Sequence, residues 1–445
     1  MSGNSAYSER VSAIHLVRSG LPVSEVADQL GKSPAWVYKW RKRFFEQQNW
    51  ADLQDRSRAP HGLPKQLSEE VRQAVKAARS ELEAEAQQPK KLSYIGGYAV
   101  RNHLKQKGIQ PLPSRASIER ILSAEGLTHP RRPQEAKVVY PHLQPTQPHQ
   151  LVQVDIVPRY LPDQGGCVSC FNAIDVVSRY PTGAQSLTKY SRDAIHFLLR
   201  VFQESGIPEY VQMDNESCFS GGFTHPGVIG QAVRFGLYVG AQPVFSAFRL
   251  PECNYAVERF HQDYTSNTWD KQDMPDLAHV QENSVPFYDL YRQSGHHSAL
   301  NGLSPAEVHG AQAVMKVSPD FQLPTGKLPI TEGKVHFIRM VQPDHTIWIA
   351  NLTWTVPQAK VGEGVWATLE LSGQAAKLRI FDAAPDADKR KCLVEYPFPI
   401  QESVLPLLPE FQKPVALPAA WWSLAAHFFR TTAREFLPRW LSTML

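Results

Sequence analysis

A proline-rich spacer, residues 133–148, separates a front part with helical patterns from a rear part with strand patterns. Proline cannot sit inside an α-helix or a central β-strand without the loss of a backbone hydrogen bond, so we predict that no regular element crosses this stretch. A chain of 445 residues is long enough for several domains, each with its own core. The fold is therefore predicted to be multidomain, with separate domains before and after the spacer.

The positive charge of the chain is concentrated before position 150. Residues 1–150 carry 23 Lys and Arg against 14 Asp and Glu, whereas the rest of the chain carries 24 against 29. A basic front part on a nearly neutral body indicates a polyanionic partner that is bound by the N-terminal domains. An ordinary solvated surface would have the same composition, so charge alone does not decide between the two.

Composition and cysteine spacing argue against a membrane protein and against a disulfide-rich one. No apolar stretch reaches the about 18 residues that a membrane span requires, and the polar start MSGNSAYSER lacks the apolar segment of a signal peptide. The five cysteines are scattered, although Cys167 and Cys170 have the spacing of half a zinc site. We therefore expect a cytoplasmic protein with reduced cysteines.

Residues 1–60 carry the pattern of a helix-turn-helix domain. Gly20 and Gly31 end two short helical patterns, and Ser33 followed by Pro34 is typical of the N-cap and first position of a third helix. On this third helix an apolar stripe leaves a cationic face that suits the major groove, although a generic bundle with a basic face would look alike. The predicted DNA contacts are Ser33, Tyr38, Lys39, Arg41, Lys42 and Arg43.

Residues 61–132 repeat this pattern after a polar, proline-bearing connection. An amphipathic helix begins near Ser68, and a short helix, a turn and a capped helix follow, with Ser114 or Ser117 as the cap. We predict a second helix-turn-helix domain, of the winged type, followed by the linker 133–148. Its predicted DNA contacts are Arg115, Arg120, Arg131 and Arg132.

Two aspartates follow strand-like sequences in the central part of the chain. Asp155 lies inside the alternating pattern of HQLVQVDIVPRYL, and Asp214 ends the short strand predicted in PEYVQMD. Strands and helices follow one another here in an order that predicts a mixed α/β sheet. A carboxylate in or at the end of a strand is costly to bury unless a cation or hydrogen bonds satisfy it, so the two aspartates are candidates for one cation site. Asp214 followed by Asn215 could equally form a simple turn.

The segment PECNYAVERFHQ holds two glutamates six positions apart. Pro251 and Glu252 suit the first turn of a helix, where the helix dipole favours a carboxylate without any catalytic role. At about 100° per residue the two side chains point about 240° apart, so only one of them can face the aspartates. Glu258 is the glutamate that lies next to the apolar residues of this helix.

Four segments resemble, in this order, the catalytic core of the retroviral-integrase superfamily, and especially of bacterial insertion-sequence transposases of the DDE type. The segments are VQVDIV, AIDVVSRYPTG, VQMDNESCF and NYAVERFHQ, and HHSALNGLSPAEV matches the end of the family's core. The resemblance covers residues 149–312 and implies an RNase H-like mixed α/β catalytic core. It also implies a bacterial protein that acts on the nucleoid.

The resemblance assigns the catalytic and metal-binding carboxylates to Asp155, Asp214 and Glu258, with Glu252 as a bystander. Asp175 also matches a recurrent position of the family, but we expect it to be structural because it opens a turn before Ser178 and Arg179. It implies two Mg²⁺ ions in each active site, with Mn²⁺ as an alternative. Two positions depart from the family pattern, Glu216 after Asn215 and Tyr255 after Asn254. The 44 positions between Asp214 and Glu258 also exceed the usual spacing, and we expect the surplus in the glycine-rich segment SGGFTHPGVIG, as a surface loop.

The implied function is that of a transposase that binds transposon ends, cleaves their 3′ ends and joins them to target DNA, as a homo-oligomer on double-stranded DNA. Two alternatives stay open: a degenerate or domesticated DNA-binding protein with the same fold, and a plain nuclease with the same core.

Residues 325–400 alternate apolar and polar side chains between turn signals, which predicts a small five-stranded C-terminal β-barrel that either helps to bind DNA or is purely structural. The tail 401–445 is rich in aromatic residues and predicts an amphipathic helix, which either recruits an accessory ATPase or docks on the protein itself.

Overall fold

The computed structural model describes residues 3–55, 67–128, 139–163, 166–222, 225–373 and 375–412. By their contacts they belong to two compact units, Met1–Ser68 and Glu69–Leu445. Of the predicted features, Arg131, Arg132, part of the linker and most of the tail 401–445 lie outside the described residues. No helix in the described part of the chain is both long and apolar enough to cross a bilayer.

The first unit is a three-helix domain with α1 Gly3–Arg18, α2 Val23–Leu30 and α3 Pro34–Gln47, followed by a 3-10 turn. Gly31 ends α2 in the left-handed conformation, at φ 62°, which a residue without a Cβ adopts easily. The hydroxyl of Ser33 accepts a hydrogen bond from Trp36 N at 3.2 Å, so it caps α3 as predicted. The predicted apolar stripe of α3 is buried, namely Val37, Trp40 and Phe44.

The second unit begins with three helices, α4 Glu69–Ala86, α5 Gly97–Gln106 and α6 Arg115–Ala124. Ser114 caps α6 by accepting from Ser117 N at 3.2 Å, which decides between the two predicted caps. The amide of Asn102 donates to Gly295 O at 3.0 Å and attaches this helical part to the rest of the unit. Residues 67–128 contain no strand, so no β-wing is present in this described range.

A mixed sheet with flanking helices follows. Its elements are β1 Leu151–Leu161, β2 Gly166–Asp175, β3 Pro181–Ser186, α7 Ser191–Glu204, β4 Tyr210–Met213, α8 Ser217–Ser220, α9 Gln231–Tyr238, β5 Gln242–Phe245, α10 Tyr255–Tyr264, α11 Leu277–Gln293 and α12 Pro305–His309. β1, β2 and β3 are antiparallel, whereas β4 and β5 run parallel to β1, in the order β3-β2-β1-β4-β5. This arrangement is the RNase H-like fold that the sequence predicted.

The two faces of the sheet have different partners because side chains alternate along each strand. Val152 and Val154 pack in one buried cluster with α7 and α9, whereas Leu151 packs in the other with α10 and α11. Asp155 has the same parity as Leu151. Its side chain therefore belongs to the face of the sheet that α10 covers.

Four of the rear strands continue the same sheet, and the other four form two small sheets of their own. The rear strands are β6 Ile330–Thr331, β7 Gly333–Met340, β8 Thr346–Ile349, β9 Leu352–Thr355, β10 Gly364–Leu371, β11 Ala376–Phe381, β12 Cys392–Pro397 and β13 Val404–Leu405. β7 pairs in parallel with β5, and β10, β11 and β12 follow antiparallel, so that the large sheet has nine strands among the described residues. β8 pairs with β9, and β6 pairs with β13. The predicted five-stranded barrel is not confirmed. Instead, β7 satisfies the backbone of β5, which would otherwise form a bare edge.

Candidate active site

Asp155 lies in β1, and Asp214 directly follows the end of β4, the neighbouring parallel strand. Val154 of β1 is in register with Met213 of β4, so the two aspartates occupy the next pair of positions. β4 ends at Met213, whereas β1 continues to Leu161 in its pairing with β2. The side chain of Asp155 is only 17% exposed. Both carboxylates therefore lie at the end of β4, where β1 continues without β4 as its neighbour.

Asp214 is also part of a local turn. Its Oδ1 accepts a hydrogen bond from Glu216 N at 3.1 Å, and Asn215 Nδ2 donates to Ser246 O at 2.8 Å. The turn that the sequence left as an alternative is thus present, and the bond to Glu216 N occupies one oxygen of the Asp214 carboxylate. Lys189 forms an ion pair with the neighbouring Glu216 at 2.9 Å.

The helix with the glutamates begins later than the sequence predicted. Residues 251–254 form a 3-10 turn and α10 begins at Tyr255, because Pro251 suits the first position of either kind of helix. Glu258 therefore lies in the first turn of α10, and Glu252 lies outside it. The Glu252 carbonyl accepts a hydrogen bond from the Tyr140 hydroxyl at 2.9 Å.

The electrostatics of the site indicate an excess of negative charge. The pKa of Asp155 is raised to about 7, mainly by burial and also by the negative charges of Asp214, Glu258 and Glu216. Burial also raises the pKa of Asp214 to about 6, although the hydrogen bond from Glu216 N and the charge of Lys189 oppose this rise. Glu258 is exposed in the first turn of α10, and its charge contributes to the raised pKa of Asp155. Partly buried carboxylates such as Asp155 and Asp214 are stabilised by a bound cation.

His261 is the nearest ionisable neighbour of Asp155 on α10. Its Nδ1 lies 3.6 Å from Asp155 Oδ2, and its buried Nε2 has no hydrogen-bond partner among the described residues. Burial, with the charge of Arg159, lowers the pKa of His261 to about 4, so the imidazole is neutral at pH 7. It therefore does not balance the charge of the carboxylates. Oxygen ligands without a counter-charge fit a hard divalent cation such as Mg²⁺.

Two buried glutamines were not recognised as site residues from the sequence. Gln153 and Gln212 each precede one of the aspartates by two positions and are register partners across β1 and β4. Both side chains are at most 4% exposed. The signal was present as the repeated pattern Val-Gln-X-Asp, in VQVD and VQMD. A glutamine inside an apolar strand must find hydrogen bonds when it is buried, which marks it as a specific structural element.

Asp175 has the structural role that the sequence predicted. Its carboxylate accepts hydrogen bonds from the backbone N–H groups of His149, Val177 and Ser178, at 2.7, 3.0 and 2.7 Å. The side chains of His149, Asp175 and His309 could each offer a metal ligand, with ligand atoms within 4.8 Å of one another. However, His309 Nδ1 already contacts Ser178 Oγ at 2.9 Å, and its Nε2 contacts the Ser205 carbonyl at 2.9 Å. A metal here would have to displace bonds that close the end of β2.

The predicted DNA contacts of the first domain differ in exposure. Tyr38, Lys39, Arg41 and Lys42 are exposed on α3, and Ser33 is exposed at its N-cap. Arg43 instead lies 5.0 Å from the centre of the Trp40 ring and donates to Gln54 O at 2.9 Å. Arg43 therefore helps to close the domain, whereas the other cations of α3 are available to a partner.

The two predicted DNA contacts on α6, Arg115 and Arg120, also differ in exposure. Arg120 is exposed, with only a bond from its Nε to Ala116 O at 3.2 Å. Arg115 forms an ion pair with Glu119 at 2.7 Å and lies over the Tyr98 ring. Arg120 thus presents the freer cation of the two.

Comparisons with known proteins found one family model and several solved structures that are similar to parts of this chain. Residues 6–48 match a family model described as a homeodomain-like domain. Among solved structures, the chain is similar to the HTLV-2 integrase catalytic core domain in complex with magnesium, at 16% identity, over 37% of this chain and 98% of that one, with a TM-score of 0.29. It is also similar to a chain of the simian T-cell lymphotropic virus intasome in complex with PP2A regulatory subunit B56 gamma, at 14% identity, over 74% and 99%, with a TM-score of 0.33. A third similar structure is the catalytic core domain of BIV integrase, at 14% identity, over 36% and 93%, with a TM-score of 0.28.

The assignment of the core rests on its own strand order, since the identities and TM-scores are low. Three antiparallel strands followed by two parallel ones, with helices on both faces, define the fold without reference to any relative. The match over residues 6–48 covers all of α2 and α3 and most of α1. The chain therefore combines an N-terminal three-helix domain that matches a homeodomain-like family model with an RNase H-like mixed α/β core.

Proposed function

We propose that this protein is a DNA transposase of the DDE type, with Asp155, Asp214 and Glu258 as its catalytic and metal-binding carboxylates. The observation that carries the proposal is the meeting of Asp155 and Asp214 on adjacent strands, at a site where the charge of Glu258 also raises the pKa of Asp155. An uncompensated group of carboxylates is costly in a protein that only binds DNA. Such a group is expected where a divalent cation is bound.

The residues of the chain suggest how the reaction is organised. The three carboxylates would hold Mg²⁺ or Mn²⁺, two ions in each site, which activate water and neutralise charge at the scissile phosphate. The exposed cations Lys39, Arg41 and Lys42 would hold the DNA backbone, and Arg120 would bind a second segment. A water that attacks in line would leave a 3′-hydroxyl, which then attacks target DNA at the same carboxylates. Because two transposon ends must be joined, we propose a homo-oligomer on DNA.

The experiment uses DNA that flanks the gene as the substrate. The purified full chain is incubated with Mg²⁺, the labelled flanking duplex and a circular target plasmid, and the products are separated on denaturing gels. We expect nicks that leave 3′-hydroxyl ends, followed by labelled DNA joined to the plasmid, and neither product with Asp155→Asn. Binding without nicks would support the alternative of a DNA-binding protein on the same fold. Nicks without joined products would support a plain nuclease.

A further inference from the structure

A buried polar network lies behind the proposed carboxylate site. We infer that Gln153 and Gln212, the glutamine pair, are positioning residues that set the distance between Glu258 and the two aspartates. This inference rests on the proposed metal-dependent function. It assigns to the pair no contact with substrate and no part in the chemistry.

Gln153 connects the strand of Asp155 to the helix of Glu258. Its Oε1 accepts hydrogen bonds from Ala256 N at 2.9 Å and Val257 N at 3.4 Å. These amides belong to the first turn of α10, where backbone N–H groups have no acceptor within the helix. The Nε2 of Gln153 donates to Cys253 O at 2.9 Å. One side chain of β1 thus holds both sides of the junction at which α10 begins.

Gln212 connects the strand of Asp214 to the same junction. Its Nε2 lies 2.7 Å from Cys253 O, 2.9 Å from Asn254 Oδ1 and 2.9 Å from Ser246 Oγ. The glutamine pair therefore converges on one carbonyl, that of Cys253. Ser246 Oγ in turn donates to Asn254 Oδ1 at 2.8 Å, which ties the end of β5 to the start of α10.

The position of the glutamine pair explains how this hydrogen-bond network would affect the geometry of the proposed carboxylate site. Side chains two residues apart on a strand point to the same face, so each glutamine lies directly behind an aspartate. Glu258 directly follows Val257, whose amide donates to Gln153, in the first turn of α10. A shift at this junction would move Glu258 relative to Asp155 and Asp214. Carboxylates that share a small cation such as Mg²⁺ tolerate little change in their spacing.

The test measures metal binding separately from catalysis. Mn²⁺ binding to the metal-free full chain is measured by titration calorimetry for the wild type, Asp155→Asn, Gln153→Met and Gln212→Met. We expect each methionine variant to bind Mn²⁺ about tenfold more weakly, as for other residues that orient metal ligands, and to need correspondingly more Mg²⁺ for cleavage. Gln203→Met is the matched control, because Gln203 of α7 also donates to a loop carbonyl, Ser318 O, at 2.9 Å.

Thermal melting is recorded for every variant, since a buried methionine leaves polar groups without partners. If a methionine variant does not fold, Gln153→Asn and Gln212→Asn take its place, because they keep the amide but shorten its reach. Wild-type Mn²⁺ affinity in folded variants, with binding lost in Asp155→Asn, would overturn the positioning role alone. If the wild type shows no binding that depends on Asp155, the proposed metal site and this inference both fail.

Discussion

Arg339 of β7 donates a hydrogen bond to the side chain of Asn215, the residue after Asp214, at 2.9 Å. The same guanidinium donates to Ser246 O at 3.0 Å and to Trp348 O at 2.8 Å, and only 4% of the residue is exposed. Burial lowers its pKa to about 9, so it remains charged at neutral pH. A rear strand is therefore bonded directly to the turn that presents one of the proposed catalytic carboxylates.

We expect Arg339→Met to lower the free energy of unfolding by about 3 kcal/mol, because the four oxygens that accept from its guanidinium lose their donor. Urea unfolding at pH 7 measures this. Arg379→Met is the control: Arg379 also lies in the rear sheet, but its partners Glu395 and Glu370 form exposed or half-buried ion pairs, so a loss of about 1 kcal/mol or less is expected. Equal losses for the two variants would contradict a special role of Arg339.

The stability of the metal-free protein should depend on pH through Asp155. Folding raises its pKa from 3.8 to about 7, so the folded state binds this proton more tightly, and stability falls as the pH rises between these values. Asp155→Asn should therefore stabilise the protein at pH 8 by about 2 kcal/mol, with little effect below pH 4. Urea unfolding in EDTA at several pH values tests this, with the exposed Asp320→Asn as control. A stabilisation that is independent of pH would refute it.

Bound divalent cations should offset the loss of stability that the ionised Asp155 causes in the metal-free protein. At tenfold excess over the dissociation constant, Mg²⁺ should add about 1.4 kcal/mol to the free energy of unfolding, and raise the melting temperature by a few degrees. Glu258→Gln should lose most of this gain, because it removes one proposed ligand. Glu252→Gln should keep it, since Glu252 precedes α10. The opposite result for the two glutamates would move the proposed site to Glu252.

The exposed Arg41 and the half-buried Arg43 of α3 should separate DNA affinity from stability. Arg41→Ala should weaken binding to duplex DNA and reduce the salt dependence, the slope of log K against log salt, by about 1. Arg43→Ala should instead lower stability by about 1 kcal/mol, because its bond to Gln54 O closes the domain. Fluorescence anisotropy at several salt concentrations and thermal melting measure the two effects. A normal salt slope in Arg41→Ala would exclude this residue as a phosphate contact.

Asp175 should behave differently from the proposed catalytic carboxylates. Asp175→Asn places an amide where the carboxylate accepts three backbone hydrogen bonds, and should cost about 2–4 kcal/mol of stability. Mn²⁺ affinity of the folded variant should stay at the wild-type value. If the variant were stable but bound Mn²⁺ weakly, the cluster with His149 and His309 would have to be considered a metal site.

Local patterns predicted much of this structure. The cap at Ser33, the buried stripe of α3 and the strand around Asp155 all follow from signals within a few residues. The pairing of β7 with β5 joins segments about 90 residues apart and has no such signal, so the rear strands were predicted as a separate barrel. The start of α10 was misplaced because Pro251 is compatible with both a 3-10 turn and an α-helix. Gln153 and Gln212 were missed because polar residues in strands usually face solvent.

The continuous sheet has a practical consequence for work on this protein. A fragment that stops near residue 312, as the resemblance to integrase cores would suggest, removes β7 and with it the partner of β5. It also removes Arg339, so the side chain of Asn215 loses a hydrogen-bond donor. Such a fragment would be prone to aggregate, and its inactivity would say nothing about the proposed chemistry of the full chain.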